Sequence, residues 1–247
     1  YDMTSIQVAG LADTGDALYA IDELVFKQQR FSLEELVQIL KNNYKGNHVL
    51  RQELIHRFSK FGNGITAVDR MTQLAADTFA DAVIAHRNSR GGRYIPGIYS
   101  MTCHIGFGKR TGALPNGRSA GQRLSNGLSP ADGADRRGPT AILNSAASLD
   151  SKKWGNCCAL NLKFDHKTVQ GKTGRRILTS LFQAYFQQGG MQVQANVLDA
   201  DRLRAAQKNP TGFPGIVVRV AGYCAYFNDL QPAVQDEIIE RTAHGIE

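Results

Sequence analysis

Apolar positions recur every three to four residues through most of the first ninety positions, and then the rhythm changes. In FSLEELVQIL, Leu33, Leu36, Val37 and Leu40 fall on one helical stripe, and Ser32 followed three residues later by Glu35 has the form of a capping box. Helical pattern covers residues 15–60, with one unit over 49–60, and a longer helix spans 67–87 before NSRGGRYIPG breaks it. From 91 to 138, glycine, proline, serine and asparagine return every few residues around short apolar pieces such as IYSMTCHIGF. Apolar residues persist there, so the pattern predicts ordered, loop-dense structure rather than a linker.

The last hundred residues alternate. CCALNLKF and MQVQANV read as strands, GRRILTSLFQAYFQQGG as a helix closed by Gly189, and DADRLRAAQKN as a helix capped by Asp199. A third strand, GIVVRV, leads into a glycine loop and a final helix over 233–241. Strand and helix in alternation predict an α/β fold with parallel strands and helices outside.

Composition narrows the classes. The 42% hydrophobic content of a 247-residue chain is enough for a substantial core. No apolar run approaches the roughly 18 residues of a membrane helix, because Arg219 interrupts even GIVVRVAGYCAYF. The net charge of +7 is scattered, with short clusters only at Arg136 and Arg137, Lys152 and Lys153, and Arg175 and Arg176, so neither nucleic acid nor a membrane is an expected partner. Four cysteines, Cys103, Cys157, Cys158 and Cys224, are too few for a disulfide scaffold, and the adjacent pair bridges only with strain; a reducing cytoplasm is expected. The chain starts at Tyr1 without a signal peptide and enters a helical pattern within fifteen residues, which suggests a piece of a longer polypeptide.

Familiar motifs fail on spacing. GFGKRTG carries Thr111 where a dinucleotide fingerprint needs its third glycine, and GKT at 171–173 has His166 where a phosphate loop needs its first. The histidines show no metal spacing, so no metal is expected. Cys103 beside His104 suggests a nucleophile and base, but neighbours on a strand point to opposite faces; a packed thiol and a hydrogen-bonded imidazole are expected instead.

One motif holds. RVAGYCAYF closely resembles the C-terminal signature of the glycyl radical enzymes, in which a backbone glycine carries a stable carbon-centred radical. GLADTGDALYAIDELVF, TGALPNGRSAGQRLSNGLSPADGADRRGPTAILNSAASL, LNLKFD, GGMQVQANVLDADRLRAAQKNP and VQDEIIERT resemble further blocks of that family in the same order, so the resemblance covers nearly the whole chain. It implies the C-terminal half of a ten-stranded β/α barrel, with 1–120 as the end of a pyruvate formate-lyase-like barrel domain and 121–247 as a glycine radical domain. It also implies that Gly222 is the radical site, with Arg219, Val220, Ala221 and Tyr223 as the supporting loop.

Chemistry agrees with a glycine there. Without a Cβ the α-carbon can flatten and conjugate with both neighbouring amides. Val218, Val220, Tyr223, Tyr226 and Phe227 are expected to pack around Gly222 and keep oxygen and water away. By resemblance, the glycyl radical oxidises a cysteine on another loop, and in the lyase branch a glutamate follows that cysteine one residue later. None of the four cysteines here has that neighbour, so the cysteine loop is expected outside this chain.

The resemblance implies no bound cofactor: the radical is a post-translational modification installed by a radical S-adenosylmethionine activating enzyme. Other implied partners are the N-terminal remainder of the enzyme, a small-molecule substrate and a second copy in a homodimer, in the cytoplasm or within a bacterial microcompartment. GALPNGR and SPADGADRRGPT look closer to the dehydratase and lyase branch, and diol dehydration of propane-1,2-diol or glycerol is the leading expectation. Alternatives are a choline or isethionate lyase, an arylalkylsuccinate synthase, a formate acetyltransferase and a non-catalytic spare part bearing the radical.

Overall fold

The computed structural model describes residues 2–167, 169–220, 222–240 and, for the backbone, 243–244. Strand β1 (Thr4–Gln7) leads into α1 (Leu11–Ile21), which relaxes into a π-helical turn over Asp22–Lys27. Helices α2 (Leu33–Lys41), α3 (His48–His56) and α4 (Thr66–Ile84) follow. The expected capping box is present: Ser32 Oγ accepts from Glu35 N at 3.2 Å, and Glu35 Oε2 accepts from Ser32 N at 2.8 Å. The expected α2 stripe is only partly covered, because Leu36 is buried while Leu33 and Val37 stay exposed. Helices α1 and α4 cross closely at Gly15, where a Cβ would collide with Thr72.

The loop-dense middle contains more order than its pattern suggests. Strand β2 (Tyr94–Gly97) pairs in parallel with β1, and α5 (Cys103–Arg110) occupies the segment whose Cys103 and His104 were read as strand neighbours. Two glycines and a histidine hide this helix from propensity, and packing forms it. His104 is fully buried and hydrogen-bonded, as expected; Cys103 is exposed, so it is not a packed thiol.

After α6 (Gly138–Ala147), β3 (Ala159–Phe164), α7 (Gly171–Gln187), β4 (Gln192–Val197) and α8 (Ala200–Lys208) follow the expected alternation. Asp199 caps α8 by accepting from the Asp201 and Arg202 amides. Strands β3 and β4 pair in parallel, and Ile98 bridges Cys158, which links the β1–β2 pair to β3. Leu160, Leu162 and Phe164 join the main core with Ile142, Tyr185 and Trp154.

Two expectations need correction. Strand β5 (Val217–Arg219) does not extend the parallel sheet but pairs antiparallel with β6 (Cys224–Tyr226), because Gly222 turns the chain back on itself. Helix α9 (Pro232–Glu240) and the backbone of β7 (Ala243–His244), parallel to β3, complete the described chain; Arg241, the expected last helical residue, lies outside it. The expected ten-stranded barrel is not seen: the described residues form a two-stranded sheet, a three-stranded sheet and a hairpin, with no closed barrel. The architecture is α/β. No helix among the described residues is long and apolar enough to cross a membrane.

Candidate functional site at the Gly222 hairpin

Alternation along β3 and β4 divides polar from apolar. Leucine and phenylalanine side chains of β3 face the helices, so Asn161 and Lys163 face the other way. Parallel register sets Asn161 beside Gln194 and Lys163 beside Asn196, and all four are buried. A buried sheet face lined with amides and an ammonium must find partners. The β5–β6 hairpin and α9 supply most of them.

Asn196 acts as an extra strand partner for the hairpin. Its Nδ2 donates to Arg219 O at 3.0 Å, and its Oδ1 accepts from Arg219 N at 2.9 Å. Two residues earlier on the same face, Gln194 Oε1 accepts the Gly222 N–H at 3.0 Å. Lys163 Nζ donates to Ile239 O of α9 at 2.9 Å. Asn161 finds no side-chain hydrogen-bond partner among the described residues and borders a cavity of about 40 Å³ with Asn126, Ser129 and Glu237.

The turn closes through Val220 N–H to Tyr223 O at 2.9 Å. Gly222 has φ +94°, a conformation that L side chains avoid, and beyond its chain neighbours no atom of the described residues lies within 4 Å of where a Cβ would stand. It is exposed. Of the side chains expected around it, Val218, Val220 and Phe227 are buried in a small core with Leu203, Val234 and Ile238 beneath the hairpin, Tyr223 packs on that core, and Tyr226 is 56% exposed. These side chains anchor the hairpin from one face. Arg219 is half-buried and donates from Nη1 to Cys224 Sγ at 3.3 Å; Ala221 lies outside the described residues.

A buried polar ring ties α9 to the rest of the chain. His104 Nε2 lies 2.9 Å from Glu237 Oε2, and His104 Nδ1 lies 3.1 Å from Ser100 Oγ. Ser100 donates to Asn126 Oδ1 at 2.9 Å, and Asn126 Nδ2 donates to Glu237 Oε1 at 2.8 Å. At the surface Arg123 pairs with both Asp132 and Glu240. Beside it opens a polar cavity of about 430 Å³, lined among others by Asp13, Asp16 and Lys60. Burial pushes the Asp16 carboxyl up to about 7, against the pull of Lys60. Burial likewise raises the Cys157 and Cys158 thiols, Cys158 to about 12, so neither is primed as a thiolate.

Gln194, Asn196 and Glu237 were missed from the sequence. The available signal was the period-two polar series Gln192, Gln194, Asn196 inside an otherwise apolar α/β pattern, which marks a polar face awaiting a partner. Glu237, one of several polar residues in VQDEIIE, gave no such signal.

Comparison with known proteins gives this arrangement a context. The pyruvate formate lyase-like family model matches residues 1–108 and the glycine radical model matches 124–228. Trans-4-hydroxy-L-proline dehydratase of Clostridioides difficile is 37% identical over 98% of the chain. Among solved structures, the glycerol-bound B12-independent glycerol dehydratase of Clostridium butyricum superposes over all of this chain with a TM-score of 0.97 at 39% identity. A Roseburia inulinivorans structure determined for 1,2-propanediol dehydration covers 99% of the chain with a TM-score of 0.95 at 36% identity. The chain spans 30–32% of the length of these relatives. With a pyruvate formate lyase-like segment joined to a glycine radical segment, and a fold shared along its whole length with such enzymes, the chain belongs to the glycyl radical enzyme family.

Proposed function

We propose that Gly222 stores the radical of a glycyl radical dehydratase whose remaining residues lie outside this chain. The observation that carries the reading is the hairpin turn: a glycine at positive φ within the glycine radical segment. A radical S-adenosylmethionine activating enzyme removes one hydrogen atom from that carbon. The glycyl radical then takes a hydrogen atom from a cysteine thiol elsewhere in the enzyme, and the resulting thiyl abstracts one from substrate. Residues 1–120 belong in this reading to a ten-stranded barrel domain and 121–247 to the radical domain. Arg219, Val220, Ala221 and Tyr223 hold the loop.

The favoured substrate is a small vicinal diol, propane-1,2-diol or glycerol, which loses water to give an aldehyde. Similarity to the glycerol and propanediol structures supports it. A homodimer in the cytoplasm, or inside a microcompartment, completes the picture.

Anaerobic activation of the complete enzyme should give a doublet electron paramagnetic resonance signal from the single remaining α-hydrogen. Deuterated glycine should collapse that doublet, and Gly222→Ala should abolish it. A radical that survives Gly222→Ala refutes the assignment. Aldehyde release from either diol tests the substrate, and turnover only of choline, isethionate or hydroxyproline would replace it.

A further inference from the structure

We infer that Gln194 is a positioning residue for the radical, holding the Gly222 peptide plane and tuning how far the unpaired electron spreads onto its nitrogen. The inference rests on the proposed role of Gly222. The 3.0 Å bond from Gly222 N–H to Gln194 Oε1 spans 28 residues of sequence and joins the sheet to the turn at the reacting residue itself. Among the described residues Gln194 Nε2 has no hydrogen-bond partner, although it is buried. An apolar side chain of similar size would avoid that cost, so packing alone does not account for a glutamine.

The electronic consequence follows from the structure of an α-carbon radical flanked by two amides. Stabilisation comes from donation by the nitrogen lone pair on one side and withdrawal by the carbonyl on the other. A hydrogen bond accepted from the N–H makes the nitrogen a better donor. It also fixes the peptide plane before Gly222, and with it the overlap between the lone pair and the radical orbital. Asn196, which clamps Arg219 on the same sheet face, keeps the hairpin at the height where Gln194 can reach. No side chain on Gly222 competes for this geometry, and the Val220 to Tyr223 bond closes the turn beside it.

Gln194→Met removes the acceptor with little change in volume, whereas Gln194→Glu keeps an acceptor in the same place. Both are made in the complete enzyme and activated anaerobically beside wild type, with thermal melts of the unactivated proteins as the folding control. Expected for Gln194→Met is a wider doublet, because more spin stays on the α-carbon, and a radical yield lowered about five-fold, the scale of one hydrogen bond. Gln194→Glu should restore the yield and give a splitting no wider than wild type. Equal splitting and yield in all three proteins would overturn the inference, as would widening in both variants alike. If Gln194→Met fails to fold, the comparison of Gln194→Glu with wild type still decides, since a wider doublet there contradicts an acceptor role. Absence of a doublet in wild type would instead refute the radical assignment to Gly222, which keeps the two failures separate.

Discussion

At the scale of single residues, burial makes Asp16 a source of pH dependence separate from the radical chemistry. Burial raises its carboxyl from the ordinary 3.8 to about 7, so it holds a proton up to about that pH in the fold. The folded state therefore binds that proton more tightly, and the contribution is complete below about pH 4 and lost as pH rises through 7. Asp16→Asn keeps an oxygen for the Phe61 N–H, which Asp16 Oδ1 accepts at 2.7 Å, and cannot ionise. Its melting temperature should vary less than that of wild type between pH 4 and 7; parallel curves would show that Asp16 does not titrate in this window. Such a residue is invisible in sequence, because GLADTGDAL looks like an ordinary helix start and only the approach of α3, α4 and the 116–118 loop encloses it. Gly222 was legible for the opposite reason: its chemistry depends on the absence of a side chain, which a motif displays directly. Gln194 fell between the two, since its strand was readable but its partner, 28 residues on, was not.

At the scale of elements, α9 is held by side chains from distant parts of the chain. Lys163, His104, Asn126 and Arg123 all reach it, and Glu237 receives two of them in a buried site. Removing the acceptor of a buried hydrogen bond costs about 1–3 kcal/mol for each group left without a partner. Glu237→Ala should therefore loosen α9 and, through Val234 and Ile238, the small core on which the hairpin rests. Hydrogen exchange should quicken in 217–226 and 232–240 while α1 and α4, which pack in a separate core, keep their protection. Uniform acceleration across the chain, or none, would contradict this division. Helices were well read from sequence because their stripes and caps are local, as at Ser32 and Asp199. The β5–β6 hairpin was misread because the sequence before Gly222 lacks the usual Asn-Gly or Asp-Gly signal and follows a strand that resembles its parallel predecessors. Helix α5 was misread because its glycines argue against it locally, while Gly108 lies so close to the 122–124 backbone that no side chain would fit.

At the largest scale, three apolar cores among the described residues divide the labour: one under the parallel strands, one among α1 to α3 and one beneath the hairpin. The third core spans both sides of Gly222, drawing Leu203, Val218 and Val220 from before it and Phe227, Val234, Ile238 and Ile239 from after it. That distribution makes a prediction about the oxygen-damaged enzyme. On the proposed function, dioxygen adds to the Gly222 radical and the peroxyl species breaks the backbone there, separating the residues that follow it. Each of the four buried apolar side chains after Gly222 contributes about 1.5–3 kcal/mol to holding that piece in place. The Glu237 and Glu240 contacts and the Lys163 bond add to it. Cleaved enzyme should therefore run as two fragments under denaturing conditions, with mass spectrometry locating the new end at Gly222, yet keep the short fragment through native size exclusion. Glu237→Ala should release the fragment more readily. Loss of the short fragment from cleaved wild type under native conditions would mean that the anchoring of α9 is too weak to outlast the covalent link, and a cut at Gly212 or Gly215 would place the radical elsewhere.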